Sequence, residues 1–455
     1  MTALRAGVAR VAFDAPLGGA MMGYGARQGT AQARHDPLFA RALYLAAESE
    51  ALLVELDVCL LAPAHAEALR ARIAKRTGVA ARHVLVGCIH THSGPETGLF
   101  TALLGGEDGP AAWLDAGLRA AEEAVAGAAP ARFGVGRAEA RIGRNRRIAA
   151  GPIDPEVLVA RVDRADRSPL AVLYIHGCHP TVLGSENLAY SADWPGAASR
   201  AVEAALPGAT ALFALGAHAD VDPRTRDLLD LAAAGQSVGA GFAAMEALGR
   251  EVGEAVAAAA AAIETAERAP VASDACWLAL PVQGAESGEP ARLAALEASR
   301  ARAAAALGLE ADRDPGVVEW FALIDERTAG LPRLEARPRI AAARAYLRDR
   351  TAPRFAGGVA PEVCAQVIRL GPAWLLALPA EATVDVGLEW KRRLAGAPGA
   401  VVSIANGWLR YLPHPCNFAE PDAGEKYEIL MSTFAPDAAL RLLDAGDALR
   451  ARLSA

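Results

Sequence analysis

Several short apolar runs in this chain end in polar turns, and that recurrence limits the possible fold more than any other feature. Residues 83–89 lead into His90-Thr91-His92-Ser93-Gly94-Pro95, and residues 170–175 into His176-Gly177-Cys178-His179-Pro180. Residues 211–215 lead into Gly216-Ala217-His218-Ala219-Asp220-Val221-Asp222-Pro223, and residues 373–378 into Pro379-Ala380-Glu381. A further run, 401–404, leads to Asn406-Gly407 and on to Tyr411. Runs of this length with punctuated ends read as buried strands. Between them, apolar residues recur at three and four with charges interspersed over 64–77, 111–127, 196–206, 241–266, 291–307, 338–350, 383–394 and 436–453, which reads as helix. Strands alternating with helices predict an α/β fold, a mixed sheet core flanked by helices. In an open α/β sheet the loops beyond the carboxyl ends of the strands line one crevice, so the polar turns are expected to converge.

Composition removes several classes of partner. Lys+Arg 46 against Asp+Glu 53 leaves a net charge of −7, without the positive field that holds a phosphate backbone, so no nucleic-acid partner is expected. The chain is 53% hydrophobic and 22% charged, enough apolar material for a sizeable core. No stretch is apolar enough for stable membrane insertion, and the N-terminus lacks the pattern of an export signal, which reads as a soluble, cytoplasmic protein. The 6 cysteines are scattered with no CxxC spacing and read as free thiols. With no linker and no fixed-period repeat, residues 1–455 are expected to form a single domain, in which the Arg/Ala-rich stretch at about 271–357 reads as a helical insertion or lid.

The chemistry-bearing residues sit in the turns. On an extended segment, His90 and His92 at i and i+2 point to the same side, a spacing suited to a shared metal or to a ligand beside a base, although strand-capping histidines show it too. Four of the 9 histidines, His90, His92, His176 and His179, fall at such strand ends. His35 is a weaker candidate, and His65, His83 and His414 read as ordinary surface or turn residues. Asp220 and Asp222 are paired carboxylates for a metal or a general base, or an Asx-Pro turn satisfying its own backbone. Arg144, Arg146 and Arg147 either hold a substrate group or form a solvated basic loop. Cys178 has no neighbour that would lower its thiol pKa. The chain carries no GxSxG, P-loop, HExxH or GxGxxG signature.

Taken together and in order, these pieces resemble the neutral (non-lysosomal) ceramidases and their bacterial relatives. The matching elements are HTHSGP at 90–95, the Asn-Arg within GRNRR, HPT followed by SADWPG, ADVDP at 219–223, PAE at 379–381 and the NGWLRY stretch ending at Tyr411. The resemblance spans about residues 7 to 427. It implies a zinc-dependent amide hydrolase with His90, His179, Glu381 and Tyr411 as zinc ligands. His92 would be the proton-transfer residue, and Arg146 and Tyr427 the groups that hold the substrate carbonyl. In such chemistry zinc brings the pKa of its water to about 7 and polarises the carbonyl.

The departures bear on the substrate. Ala217, Ala219 and Asp222 replace Asn, Gly and Ser of the family's turn. Roughly 30 residues follow Tyr427, where an appended β-sandwich needs about 100, so that domain is not expected. The expectation is therefore a small-molecule amide substrate, smaller or more soluble than ceramide. Two rival readings stay open. One is a TIM-barrel amidohydrolase using His90, His92, His179, His218 and Asp220. The other is a non-catalytic zinc- or ligand-binding homologue.

Overall fold

The two strands Leu38–Ala46 and Glu50–Leu56 are buried along nearly their whole length, which requires cover on both faces of the sheet they join. A computed structural model describes residues 2–25, 27–99, 112–226, 239–283, 289–310, 317–328, 331, 333–351 and 362–454. The sheet has eight strands in the spatial order Thr210–Leu215, Pro169–His176, Glu156–Arg164, Ala129–Glu139, Arg5–Phe13, Leu38–Ala46, Glu50–Leu56 and Val84–Cys88. Only the outermost pair at each edge is parallel, so the sheet is mixed. A second, four-stranded sheet is ordered Val271–Leu278, Val363–Leu370, Ala373–Ala377 and Gly399–Val402.

The period-two alternation of side chains assigns each strand's residues to two cores. Leu52, Val54, Val86, Val172, Tyr174 and Phe213 face the helices, packing with residues of Pro63–Thr77, Ala112–Ala126, Asp193–Ala205 and Gly241–Ala262. Leu53, Leu85, Leu173, Ile175 and Leu212 face the other way and pack with Ile368, Leu375 and Val402 of the second sheet. The outer face of that sheet is closed by Val384–Arg393 and Ala438–Ser454, through Trp390, Leu442 and Leu443. The layers are therefore helix, sheet, sheet, helix. This mixed-sheet α/β architecture is the predicted class, but two stacked sheets replace the single open one. Antiparallel pairs through the middle of the large sheet exclude the (β/α)8 barrel.

The local signals act as written in the sequence. Pro63 opens its helix at the first position, where a missing N–H costs nothing, and Gly78 ends it at φ 83° with its N–H on the Ala74 carbonyl. The segment read as a helical insertion opens instead with a strand, Val271–Leu278. Its helices are Glu289–Leu307, Val317–Thr328 and Arg333–Thr351, which share a small core around Trp320, Ile340 and Tyr346. The end of that expected segment, 352–357, lies outside the described residues. The middle helix was not foreseen. No helix among the described residues is long and apolar enough to cross a membrane.

One residue breaks the alternation. Glu55 falls at a core-facing position, fully buried, and neither of its oxygens has a hydrogen-bond partner among the described residues. Gly87, its neighbour across the strand pair, leaves the room, since a Cβ there would lie 2.7 Å from Glu55 Oε1. Burial, with Asp57 adding like charge, pushes the Glu55 carboxyl well above the usual carboxylate range. A carboxyl whose folded pKa is raised favours the folded state only while protonated, so stability falls as pH rises above the unfolded value. Glu55→Gln should flatten that slope, raising the denaturation midpoint at pH 8 while leaving it nearly unchanged at pH 4. Parallel pH dependences in mutant and wild type would contradict the assignment.

Candidate metal centre

Each of four strand ends delivers one donor to a common point. His90 follows Val84–Cys88, His179 follows Pro169–His176, His218 follows Thr210–Leu215, and Glu381 follows Ala373–Ala377 of the second sheet. All four side chains are buried, and one ligand atom from each falls within 4.8 Å of the others. Glu381 Oε2 is 3.5 Å from His90 Nε2, 3.5 Å from His179 Nε2 and 3.7 Å from His218 Nε2.

The opposite edge of each ring explains why these atoms converge. His90 Nδ1 lies 2.9 Å from the Cys59 carbonyl, His179 Nδ1 3.2 Å from that of Val221, and His218 Nδ1 3.0 Å from that of Gly216. A carbonyl accepts only, so each Nδ1 donates and each Nε2 is turned to the centre. Glu381 Oε1 accepts from Trp408 Nε1 at 2.8 Å, which turns Oε2 inward. His218 Nε2 and Glu381 Oε2 are buried with no hydrogen-bond partner among the described residues. Three imidazoles, once each is deprotonated at Nε2, and a carboxylate fit a divalent cation.

The backbone is bent to reach this geometry. His90 adopts φ 65°, rare for a side chain of its size, and is held there by its N–H on the Val58 carbonyl and its ring on Cys59. Gly177 lets the His179 loop press directly against the Ala217 carbonyl, where a Cβ would collide.

Charge within the cluster is divided unevenly. Burial lowers the pKa of His179 to about 3 and that of His218 below its ordinary value, so both are neutral donors. Burial also opposes charge on His90, but Cys59 and Glu381 outweigh it and raise it to about 10. Burial likewise opposes the Glu381 carboxylate, which His90 and the three imidazole contacts nevertheless hold well below the usual range. His90 is thus the cluster's proton carrier, and a cation binding there displaces that proton.

His92 stands beside the cluster, its Nε2 3.2 Å from His90 Nε2 and its ring partly exposed. Burial of its nitrogens and the nearby His90, His179 and Arg226 lower its pKa well below 6.5. The loop carrying Gly23 and Arg27 wraps it, with Arg27 Nη2 donating to the His92 carbonyl at 2.6 Å. A second grouping, Cys59, His90 and His92, shares His90 with the main one.

Tyr411 enters from the strand pair in which Glu381–Ala382 runs parallel to Tyr411–Leu412, Glu381 opposite Tyr411. Its hydroxyl lies 3.4 Å from Arg146 Nη2, and burial followed by Glu381 and Tyr427 raises its pKa well above 10. Arg146 is far from a solvated loop. Its Nε donates to Glu428 at 2.7 Å and its Nη1 to Asp222 at 3.1 Å, with all three side chains buried. Burial works against the Asp222 carboxylate, yet Arg146, Arg226 and His179 hold its pKa at about 2. Arg146 also lies over the Tyr427 ring at 5.4 Å, and Arg344, from the helix Arg333–Thr351, covers the same ring at 4.6 Å.

The structure separates the other candidates. Asp220 is not at the cluster; it accepts from Asn145, Arg147 and the Val384 N–H. His176 turns away beside Trp194, His35 stacks on Phe242, His65 meets Trp113, His83 faces Glu50 and His414 caps the helix Pro415–Phe418. Burial pushes the Cys178 thiol well above its usual pKa, which removes it as a nucleophile. His218 is the donor that the resemblance did not place in the ligand set. Its signal was its position after a third strand end. Glu428 and Trp408 gave no signal, because the partners they serve are distant in sequence.

No family model and no curated protein matches the chain. Two solved structures share its fold. Neutral ceramidase from Pseudomonas aeruginosa superposes with a TM-score of 0.72 at 21% identity, covering 99% of this chain and 75% of that one. A ceramidase complexed with C2 superposes with a TM-score of 0.70, also at 21% identity, covering 99% and 76%. The ceramidase-like fold read from the motifs is therefore present, with 99% of this chain covered.

Trp408→Phe keeps the ring and removes the hydrogen bond that aims Glu381. Loss of such an outer partner costs about 10–100-fold in metal affinity. Competition titration against a chromogenic chelator should show that loss with an unchanged fold, and an unchanged affinity would mean that Trp408 does not orient the donor.

Proposed function

We propose that this chain is a metal-dependent hydrolase of carboxamide bonds, with zinc as the cofactor. The observation that carries the reading is the buried set of His90, His179, His218 and Glu381, whose ligand atoms converge beside His92, with His218 Nε2 and Glu381 Oε2 unpartnered among the described residues. The two ceramidase structures of the same fold support it.

When bound, the metal supplies a Lewis acid and a water acidified toward neutral pH. The remaining work falls to side chains. His92 has the qualities of a proton shuttle: it is neutral, partly exposed and in contact with a ligand, ready to take a proton and return it to the leaving amine. The Tyr411 hydroxyl, kept protonated by burial, is a donor for the carbonyl oxygen as negative charge develops, or a further metal ligand as the family resemblance implies. All three nitrogen groups of Arg146 are engaged by Glu428, Asp222 and Tyr411, so we assign it to positioning Tyr411 rather than to gripping substrate. Tyr427, packed edge-on against Tyr411 and covered by Arg344, flanks that hydroxyl, in keeping with the carbonyl-holding role the family resemblance implies for it. A small, soluble amide in the cytoplasm is the substrate this reading favours.

One observation supports a second reading. His218 brings the protein donors to four, the number that closes a structural zinc site. In that case the centre binds metal without turnover.

The two are separated by elemental analysis joined to hydrolysis of an amide panel. We expect metal in wild type, activity abolished by a chelator and restored by zinc, and a loss of about 10²–10⁴-fold in kcat in His92→Gln with metal retained. Hydrolysis that survives complete metal removal would overturn the proposal. Stoichiometric metal with no turnover of any amide would select the closed centre.

A further inference from the structure

Several buried arginines among the described residues are paired with carboxylates. Arg41 has Asp57, Arg70 has Glu67, Arg146 has Asp222 and Glu428, and Arg147 has Asp220, Asp385 and Glu420. Arg226 does not follow the pattern. It is 2% exposed, it takes part in no ion pair among the described residues, and its Nε and Nη2 have no hydrogen-bond partner there. Its backbone is fully engaged, the N–H on the Pro223 carbonyl and the carbonyl accepting from Arg144, so the segment is held while the guanidinium is not. A desolvated cation without an acceptor is costly, and a ligand that supplies one recovers that cost on binding.

The place of this guanidinium ties it to the metal centre. Its carbon lies 5.6 Å from the centroid of the Tyr24 ring, and that ring meets His92 edge-on at 4.7 Å. Tyr24 is fixed by its hydroxyl, which donates to the Leu183 carbonyl at 2.7 Å. Arg226 also acts electrostatically on both His92 and Asp222. Arg226 forms an ion pair with neither nearby carboxylate among the described residues: Asp193 accepts from the N–H groups of Val182, Leu183 and Trp194, and Asp222 gives Oδ1 to Arg146 while its Oδ2 has no hydrogen-bond partner.

We infer that Arg226 is an anion-binding subsite of the metal centre and takes the carboxylate of an amide substrate that carries one, the class of N-acylated amino acids. The planar fork of a guanidinium presents paired N–H groups to the two oxygens of a carboxylate. The inference rests on the hydrolase reading for what the ligand is, but its test reads binding and not turnover.

Matched probes decide it: N-acyl-alanines with acetyl, hexanoyl and dodecanoyl chains, each beside its uncharged N-methylamide, titrated calorimetrically into the metal-loaded protein. The acid should bind tenfold or more tightly than its methylamide, the loss typical of a buried charge left unpaired. Arg226→Gln should abolish that preference with metal content unchanged, and Arg226→Lys should retain part of it. N-acetylethanolamine phosphate is the arm that distinguishes a phosphate ester from a carboxylate, and tighter binding of the phosphate would overturn the carboxylate assignment. Equal binding of acid and methylamide to wild type, binding of neither, or a preference that survives Arg226→Gln would overturn the subsite. The wild-type comparison stands even if the glutamine variant fails to fold. A protein that prefers the acid through Arg226 but hydrolyses no amide would sink the hydrolase reading and leave this inference in place.

Discussion

Three imidazole nitrogens share one carboxylate oxygen, Glu381 Oε2, and much of the surrounding architecture serves that meeting. Water has been removed from all four groups, so their orientation has to come from the protein. Backbone carbonyls of Cys59, Val221 and Gly216 set the rings, and the Trp408 indole sets the carboxylate. Three of the donors come from the ends of strands in the eight-stranded sheet and one from the four-stranded sheet. The inter-sheet core around Leu53, Leu173, Ile368 and Leu375 therefore does more than stabilise the fold, because it fixes the distance between Glu381 and the histidines.

Around this centre lies a layer of buried ion pairs. Arg147 joins Asp220, Asp385 and Glu420, while Arg146 joins Asp222 and Glu428. Paired charges in a low-dielectric interior contribute little net stability, but removing one partner is strongly destabilising, which favours a single arrangement. The consequence for function is that Arg146 and Tyr411 are held in a fixed relation on the flank of the metal site. The Asp222 carboxylate replaces a serine in the family's turn, and the structure accounts for it as the partner that keeps Arg146 engaged. Arg226 is buried with no ion pair among the described residues, and it is there that we place a ligand's carboxylate.

Much of this was legible along the chain. The helices expected at 64–77, 196–206 and 383–394 are present as Pro63–Thr77, Asp193–Ala205 and Val384–Arg393, since apolar spacing and a Pro or Gly punctuator mark such elements locally. His90, His179 and Glu381 were legible as candidates because each lies in the polar turn that ends an apolar run. The antiparallel centre of the large sheet was not, because pairing between strands such as Arg5–Phe13 and Ala129–Glu139 depends on contacts distant in sequence.

The sequence alone determined which strand ends carry donors and the motif order that resembles the ceramidases. These are properties of neighbouring residues and need no third dimension. Tertiary structure decided that His218 joins the cluster while His176, one strand away, turns from it. It also decided that Asp220 belongs to Arg147 rather than to a metal, and that Arg226 is buried with no ion pair among the described residues. The physical reason is common to all three: what a polar side chain does once water is excluded depends on which partners packing brings to it, and those partners come from remote parts of the chain.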